Sequence, residues 1–242
     1  MIPLDFERVV VIAMGRRRPE RLARFWRELP EPWPCRTPLS VAAVDGQCVV
    51  PPAWYAAQPF GPIEDVTIRQ PNSNETLRGA WGCLRSHHRV WEDALNDGLD
   101  SVLVLEDDAV CAAHFPRRLQ TFLTHVPDDW GQLYLGGQHT ERPAAVNEHC
   151  LACRNTRRTH AYAMRRPMLG AAYRRLMCVI ESHDEHCYHV DYQLAEMQRC
   201  RRWKTYAPPE WLVGQAAGAS DVMSTHRATP VQWWNDFEVA HV

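Results

Sequence analysis

The chain has no large excess of charge of either sign. Lys and Arg total 27 against 29 Asp and Glu, a formal net charge of -2 with His neutral. That balance leaves no electrostatic case for general binding to nucleic acid or to an anionic membrane surface. Local basic runs at Arg16-Arg17-Arg18, at Arg157-Arg158 and between Arg199 and Lys204 read as solvated faces. Long apolar runs are missing as well. The first run, Val9 to Met14, is far too short to span a bilayer, and Asp5, Glu7 and Arg8 precede it, unlike a secretory leader. No transmembrane segment is therefore expected, and the expected location is cytoplasmic. There is no internal repeat and no low-complexity tract. Nine Cys, an odd number scattered without a compact framework, argue against a secreted disulfide scaffold and for reduced thiols.

What is present points to a globular α/β chain. The 242 residues are 45% hydrophobic and 23% charged, enough for a sizeable core in one large domain or two small ones. Arg8 to Met14 holds a continuous β-branched run that suits a strand covered on both faces. Leu22, Phe25, Trp26 and Leu29 then recur at helical spacing between Arg16 and Leu29, so strand, basic turn and helix open a βαβ unit. "PLSVAAVDG" reads as a second strand ending at Asp45-Gly46. Residues 47–75 read as a loop. Gly79 to Asp97 is the best amphipathic helix, with Gly98 as its C′ residue. A strand follows at Ser101 to Leu105, a helix at Phe115 to Val126 and a strand at 131–137. Residues 138–158 look polar and irregular. A strand is expected at 160–166, a helix over Pro167 to Ile180 opened by its Pro, and a short helix over Tyr192 to Arg199. The tail after Pro208 shows no long periodic element. Alternating strands and helices predict one α/β domain with a mainly parallel, doubly wound sheet.

The strand at Ser101 to Leu105 runs into Glu106-Asp107-Asp108. Three acids ending an apolar strand are costly if buried without partners. Open α/β sheets bind ligands outside the carboxyl ends of their strands, and these acids stand at such an end. Alternation along an extended chain would turn Glu106 and Asp108 to one side and Asp107 to the other. Two carboxylates on one side suit a hard cation such as Mg²⁺ or Mn²⁺, which would neutralise a diphosphate leaving group. A solvated strand end, or an acid capping the next helix, would leave the same pattern.

"GAWGCLRSHHRVWEDALNDGLDSVLVLEDDA", Gly79 to Ala109, resembles the signature block of glycosyltransferase family 25, the lipooligosaccharide and collagen-galactosyltransferase-like enzymes. Gly82-Cys83, Ser86-His87, Trp91 and Glu106-Asp107-Asp108 carry the likeness. In the same order, "VVVIAMGRRRPERL" resembles the family's first strand and Arg-containing helix, with Arg21 at the Arg position. "VAAVDG" resembles its Ala-Val-Asp-Gly turn, with Asp45 as the acid. "THAYAMRR", "HVDYQL" and "VGQAAGASDV" resemble later blocks. Ala13 and Ala80 depart from the pattern, which often has Asn and Glu there, and both touch on donor choice.

The resemblance implies a GT-A fold, a UDP-sugar donor, inversion at the anomeric carbon, and a glycan, lipid-linked or protein acceptor. It implies a single domain over 1–242, with 1–110 holding the nucleotide sugar and 111–242 the acceptor and catalytic part. Glu106, Asp108 and His226 are the expected holders of Mn²⁺ or Mg²⁺. Asp107 is expected on the donor's ribose or sugar, Asp45 on the uridine or its ribose, and Arg21 on phosphate. Ser86 and His87 join the donor site by orienting the acidic strand end. Gln215, Ser220 and Asp221 line the cleft on resemblance alone. Asp191 is the expected base for the acceptor hydroxyl, with Glu181 and Asp184 in reserve; a plain helix-capping Asp is the other reading. Outside the family pattern, Cys150 and Cys153 form a Cys-x-x-Cys followed by His183, His186, Cys187 and His189. The second cluster lacks clean zinc-ligand spacing, and these residues read as thiols and surface His.

Overall fold

The computed structural model describes residues 6–49, 74–181, 189–219 and 226–233. In chain order the elements are β1 (Arg8–Ala13), α1 (Pro19–Glu28), β2 (Leu39–Ala42), α2 (Asn74–Asn96), β3 (Ser101–Glu106) and β4 (Ala109–Cys111). Then come α3 (Phe115–His125), β5 (Trp130–His139), β6 (Ala144–Asn147), β7 (Cys150–Ala152), β8 (Thr156–Arg165) and α4 (Arg166–Glu181). α5 (Val190–Arg199), β9 (Lys204–Ala207), β10 (Val213–Ala219) and β11 (His226–Gln232) complete the described residues.

β1 shows why an unbroken apolar strand was the right reading. Val10 and Ile12 pack into one hydrophobic cluster, while Val9 and Val11 pack into another on the opposite face. β3 divides the same way, Val102 and Val104 against Leu103 and Leu105, and so does β8, Tyr162 and Met164 against Ala161 and Ala163. Both faces of the sheet are thus dry, and each fully buried Val or Leu contributes about 1.5–3 kcal/mol. Trp81, Leu84 and Trp91 of α2, Met168 and Leu176 of α4 and Leu194 of α5 cover the first face. Phe25 of α1 and Phe115, Leu119 and Phe122 of α3 cover the second.

The main sheet has eight strands in the order β2-β1-β3-β8-β5-β9-β7-β6. β1 pairs in parallel with β2 and β3, and β5 with β9. β8 is antiparallel to β3 and β5, and β7 to β9 and β6. Only β8 and β7 therefore run against the common direction, and the sheet is mainly parallel, flanked by helices, as expected of the α/β class. A second, three-stranded sheet is ordered β11-β10-β4. β4 leaves the acidic end of β3 after a two-residue turn, so this small sheet grows out of the acidic motif itself.

α2 begins at Asn74, five residues before the sequence expectation. It ends as expected. Gly98 has φ +73, its N–H donates to the Leu95 carbonyl at 3.1 Å, and the Leu99 N–H reaches Ala94 at 3.0 Å. That is the pair of bonds that closes a helix through a left-handed C′ glycine. Residues 50–73 of the expected loop lie outside the described residues. The stretch 138–158 is not irregular: it holds the end of β5, then β6 and β7, then the start of β8. The tail also carries structure, in β10 and β11. No helix among the described residues is long and apolar enough to cross a membrane.

Candidate active site

Two close approaches bring the first half of α2 against the loop after β2. A Cβ on Gly82 would lie 2.6 Å from the Val44 carbonyl oxygen and 2.7 Å from the Gly46 nitrogen, so only glycine allows the contact. One turn along, Ser86 Oγ accepts the Val44 N–H at 2.8 Å and donates to the Gly82 carbonyl at 2.7 Å. Ser86 thereby fastens the Asp45 turn to the helix. Asp45 Oδ1 accepts the Gln47 N–H at 2.9 Å and lies 3.3 Å from Arg17 Nη1.

The acids at the end of β3 do not divide by simple alternation. β3 stops at Glu106, the Asp107 N–H donates to the Ile12 carbonyl at 3.0 Å, and a turn takes over at Asp107-Asp108. The expected placement of Asp107 opposite Asp108 needs an extended chain, and the turn removes it. One guanidinium nitrogen, Arg21 Nη2 on α1, lies 2.7 Å from Asp107 Oδ1 and 3.0 Å from Asp108 Oδ2. Arg21, expected on a donor phosphate, thus pairs with the acids. Asp107 Oδ2 also accepts the Met14 N–H at 2.9 Å. Burial still dominates and raises the Asp107 carboxyl to about 6, against the pull of Arg21 and that N–H. Asp108 is held from the other sheet, its Oδ2 by Gln215 Nε2 at 3.0 Å and its carbonyl by the Ala216 N–H at 2.8 Å.

Glu106 faces α2 and β8. His87 Nε2 lies 3.3 Å from its Oε1, and Thr159 donates to the same oxygen at 2.7 Å. Burial works against its charge, but the hydrogen bonds from His87 and Thr159 outweigh burial and hold the carboxyl below its usual range. His160, next along β8, is buried, with Nε2 3.3 Å from the Val213 carbonyl. Burial lowers its pKa against the opposing charges of Asp108 and Glu106. Its Nδ1 has no hydrogen-bond partner among the described residues.

Asp191 stands in the first turn of α5, and its Oδ2 accepts the Arg158 N–H at 3.2 Å. Arg158 adopts φ 75, a strained value for a residue other than glycine. Burial pushes the Cys83 thiol well above its ordinary range, and the charges of Glu106, Asp191 and Asp108 push it further. The charges of three carboxylates, from β3, the following turn and α5, thus act on one thiol. Cys83, His87 and Glu106 also present three donor atoms within 4.8 Å of one another.

Arg21, Asp107, Asp108 and Gln215 form one bonded group and His87 and Glu106 another, adjoining along the chain at 106–107, while Ser86 fastens the turn that carries Asp45 through Val44. Asp191 shares the charge field at Cys83. His226 lies in β11 opposite Ala219, but its side chain and that of Glu181 lie outside what is described, as do residues Asp184, Ser220 and Asp221. Cys150 and Cys153 are free thiols, each raised to about 12 by burial. Ala13 and Ala80 are both buried. Thr159, His160, Tyr162 and Cys83 were quoted in the sequence motifs without roles. Their signal lay in "THAYAMRR" and in Gly82-Cys83, strand and helix residues that face the acids.

Carboxylates gathered at the carboxyl ends of parallel strands stand where open α/β sheets bind ligands. Residues 65–195 match the family model described as glycosyltransferase family 25 (LPS biosynthesis protein). The chain belongs to glycosyltransferase family 25. It is 28% identical over 254 aligned residues to a human protein named inactive glycosyltransferase 25 family member 3, covering 98% of this chain and 40% of that one. It is 38% identical over 154 residues to procollagen galactosyltransferase 1 of Danio rerio, covering 58% of this chain and 23% of that one. The chain therefore spans well under half the length of these relatives. Among solved structures, a glycosyltransferase involved in the glycosylation of the major capsid of PBCV-1 aligns with 82% of this chain and 81% of its own, at TM-score 0.41 and 9% identity.

Proposed function

We propose that the chain is an inverting glycosyltransferase that moves a sugar from a UDP-sugar to a hydroxyl of a glycan, lipid-linked or protein acceptor. Galactose is the sugar favoured, from the printed name of the Danio rerio relative. The observation that carries the reading is the pair Glu106 and Asp108 at the carboxyl end of β3, the first held by His87 and Thr159 and the second by Arg21 and Gln215. Residues 1–110 hold the donor in this reading and 111–242 supply the acceptor side.

In the transfer, the acceptor oxygen attacks the anomeric carbon, the bond from that carbon to the diphosphate oxygen breaks, and the acceptor proton moves to a base. Asp191 is that base. It sits on the first turn of a helix, is fixed by the Arg158 N–H and keeps its second oxygen for the acceptor. The departing diphosphate needs positive charge. Glu106 and Asp108 are oxygen donors suited to Mn²⁺ or Mg²⁺. His226 remains the third candidate ligand. When bound, the ion supplies charge neutralisation to the leaving diphosphate. Arg21, beside Asp107 and Asp108, supplies a second positive charge at the same place. Asp45, on the turn that Ser86 fastens through the Val44 N–H, takes the uridine or ribose, Asp107 the ribose or sugar, and Gln215 steadies Asp108.

A second reading has support of its own. Arg21 already neutralises Asp107 and Asp108 within the chain, the human relative is named inactive, and Ala13 and Ala80 stand where the family often has polar groups. Those features favour a nucleotide- or sugar-binding module without turnover. A panel of nucleotide sugars, with and without Mn²⁺, separates the two. Donor hydrolysis or transfer that disappears in Asp191→Asn supports the enzyme. Binding of one nucleotide class without turnover on any donor supports the module.

A further inference from the structure

Glu106, itself half-buried, ends a line of three buried side chains whose hydrogens chemistry assigns. Trp91 Nε1 lies 2.8 Å from the Tyr162 hydroxyl oxygen, and that oxygen lies 2.8 Å from His87 Nδ1. His87 Nε2 then lies 3.3 Å from Glu106 Oε1. An indole nitrogen only donates, so Tyr162 accepts from Trp91. Burial pushes the Tyr162 phenol well above its usual range, so its single hydrogen is present, and His87 Nδ1 is the acceptor within reach. Nε2 must then carry the imidazole hydrogen. The other end of the line agrees, because Glu106 Oε1 already serves as an acceptor, taking the Thr159 hydroxyl hydrogen at 2.7 Å, and it is the atom that Nε2 meets. Trp91 and Tyr162 are 0% exposed and His87 is 1% exposed, so no bulk water competes for these bonds.

We propose that Tyr162, oriented by Trp91, is a positioning residue that locks His87 as its Nε2–H tautomer and through it fixes the Glu106 carboxylate in the donor site. β8 thereby holds Glu106 twice, directly through Thr159 and indirectly through Tyr162. The role of the lock in catalysis rests on the glycosyltransferase reading above; the tautomer and its cause do not. Without the Tyr162 hydrogen, His87 Nδ1 is a buried acceptor with no donor, and the ring is free to turn away from Glu106.

The test is a long-range ¹H–¹⁵N spectrum of the full chain labelled at the histidine ring nitrogens, with His87→Gln identifying the His87 signals. The wild type is expected to show His87 protonated at Nε2 alone, with Nδ1 at the shift of a hydrogen-bonded acceptor. In Tyr162→Phe the Nδ1 signal should move to that of an acceptor without a donor. Hydrogen exchange at the Trp91 indole should rise roughly tenfold or more. The kcat for transfer should fall roughly tenfold at unchanged donor KM. Trp91→Phe keeps the Tyr162 donor and removes only its orientation, so it should move the Nδ1 signal part of the way. His87 protonated at Nδ1 in the wild type would overturn the proposal, whether or not either variant folds. So would an unmoved Nδ1 signal in folded Tyr162→Phe. A wild type with the expected spectrum and no turnover on any nucleotide sugar would leave the lock standing and count against the enzymatic reading alone.

Discussion

Arg21 Nη2 lies 2.7 Å from Asp107 Oδ1, and this contact ties α1 to the carboxyl end of β3. The same nitrogen reaches Asp108 at 3.0 Å, so one cation serves two buried carboxylates. Removing one partner of a buried ion pair leaves an uncompensated charge, at a cost of about 3–5 kcal/mol. Arg21→Met keeps the apolar stem and loses the charge. It should lower stability by about 3 kcal/mol in urea unfolding, and millimolar Mn²⁺ should restore part of that loss. A loss under about 0.5 kcal/mol would mean the acids are neutralised by something other than Arg21.

Gly82→Ala should damage the Asp45 turn more than the helix. Helix propensity alone would favour Ala by about 1 kcal/mol. The added Cβ, however, would meet the Val44 oxygen at 2.6 Å. A net destabilisation of about 2 kcal/mol or more is expected. Ser86→Ala, which removes the two bonds beside it, should cost about 1–2 kcal/mol. Thermal unfolding of both variants checks the pair, and a Gly82→Ala that is neutral or stabilised would contradict the close approach.

Two buried groups tilt the pH dependence in opposite directions. Burial lowers His139 from 6.5 to about 4. The unfolded chain takes up that proton first, so the contribution is full above about 6.5 and is lost as pH falls through about 4. Its full size is about 3 kcal/mol. Asp107, raised from 3.8 to about 6, works the other way: its contribution is present below about 3.8 and is lost as pH rises through about 6. His139→Gln should therefore flatten the loss of stability between pH 6.5 and 4, and Asp107→Asn should steepen it. Chemical unfolding at four or five pH values distinguishes the slopes.

Asp191→Asn preserves an oxygen for the Arg158 N–H but cannot take up a proton. Turnover should fall by about 10²–10⁴-fold with stability within about 0.5 kcal/mol of wild type. An unchanged kcat would move the base elsewhere.

The parts of the fold that were legible in the sequence are those with two dry faces or one long amphipathic stripe. β1 and β3 announced themselves by unbroken β-branched and aliphatic runs, and α2 by its apolar face and Gly98. β6 escaped because it closes the sheet edge and Val146 is exposed, so no apolar alternation marks it. β10 escaped for a different reason. Its sequence, VGQAAGA, is small because Gly214 lies against Val231 and the Gln232 backbone, where a β-branched side chain would not fit. At the site, the family resemblance assigned the acids, Ser86, His87 and Gln215 to one donor site. It did not reveal that Arg21 bridges Asp107 and Asp108, because a turn replaces the strand there and a turn's side-chain directions are not periodic.

Asp108 and Gln215 are 107 residues apart in sequence, yet they share a hydrogen bond. The acidic turn is long-range on every side: the Asp107 N–H meets the Ile12 carbonyl of β1, and Arg21 reaches the same turn from α1. Until β10 docks, Asp108 lacks its Gln215 and Ala216 partners. Contacts of such sequence separation must first overcome chain entropy. The acids are therefore fully partnered only once β1, α1 and β10 have all come together.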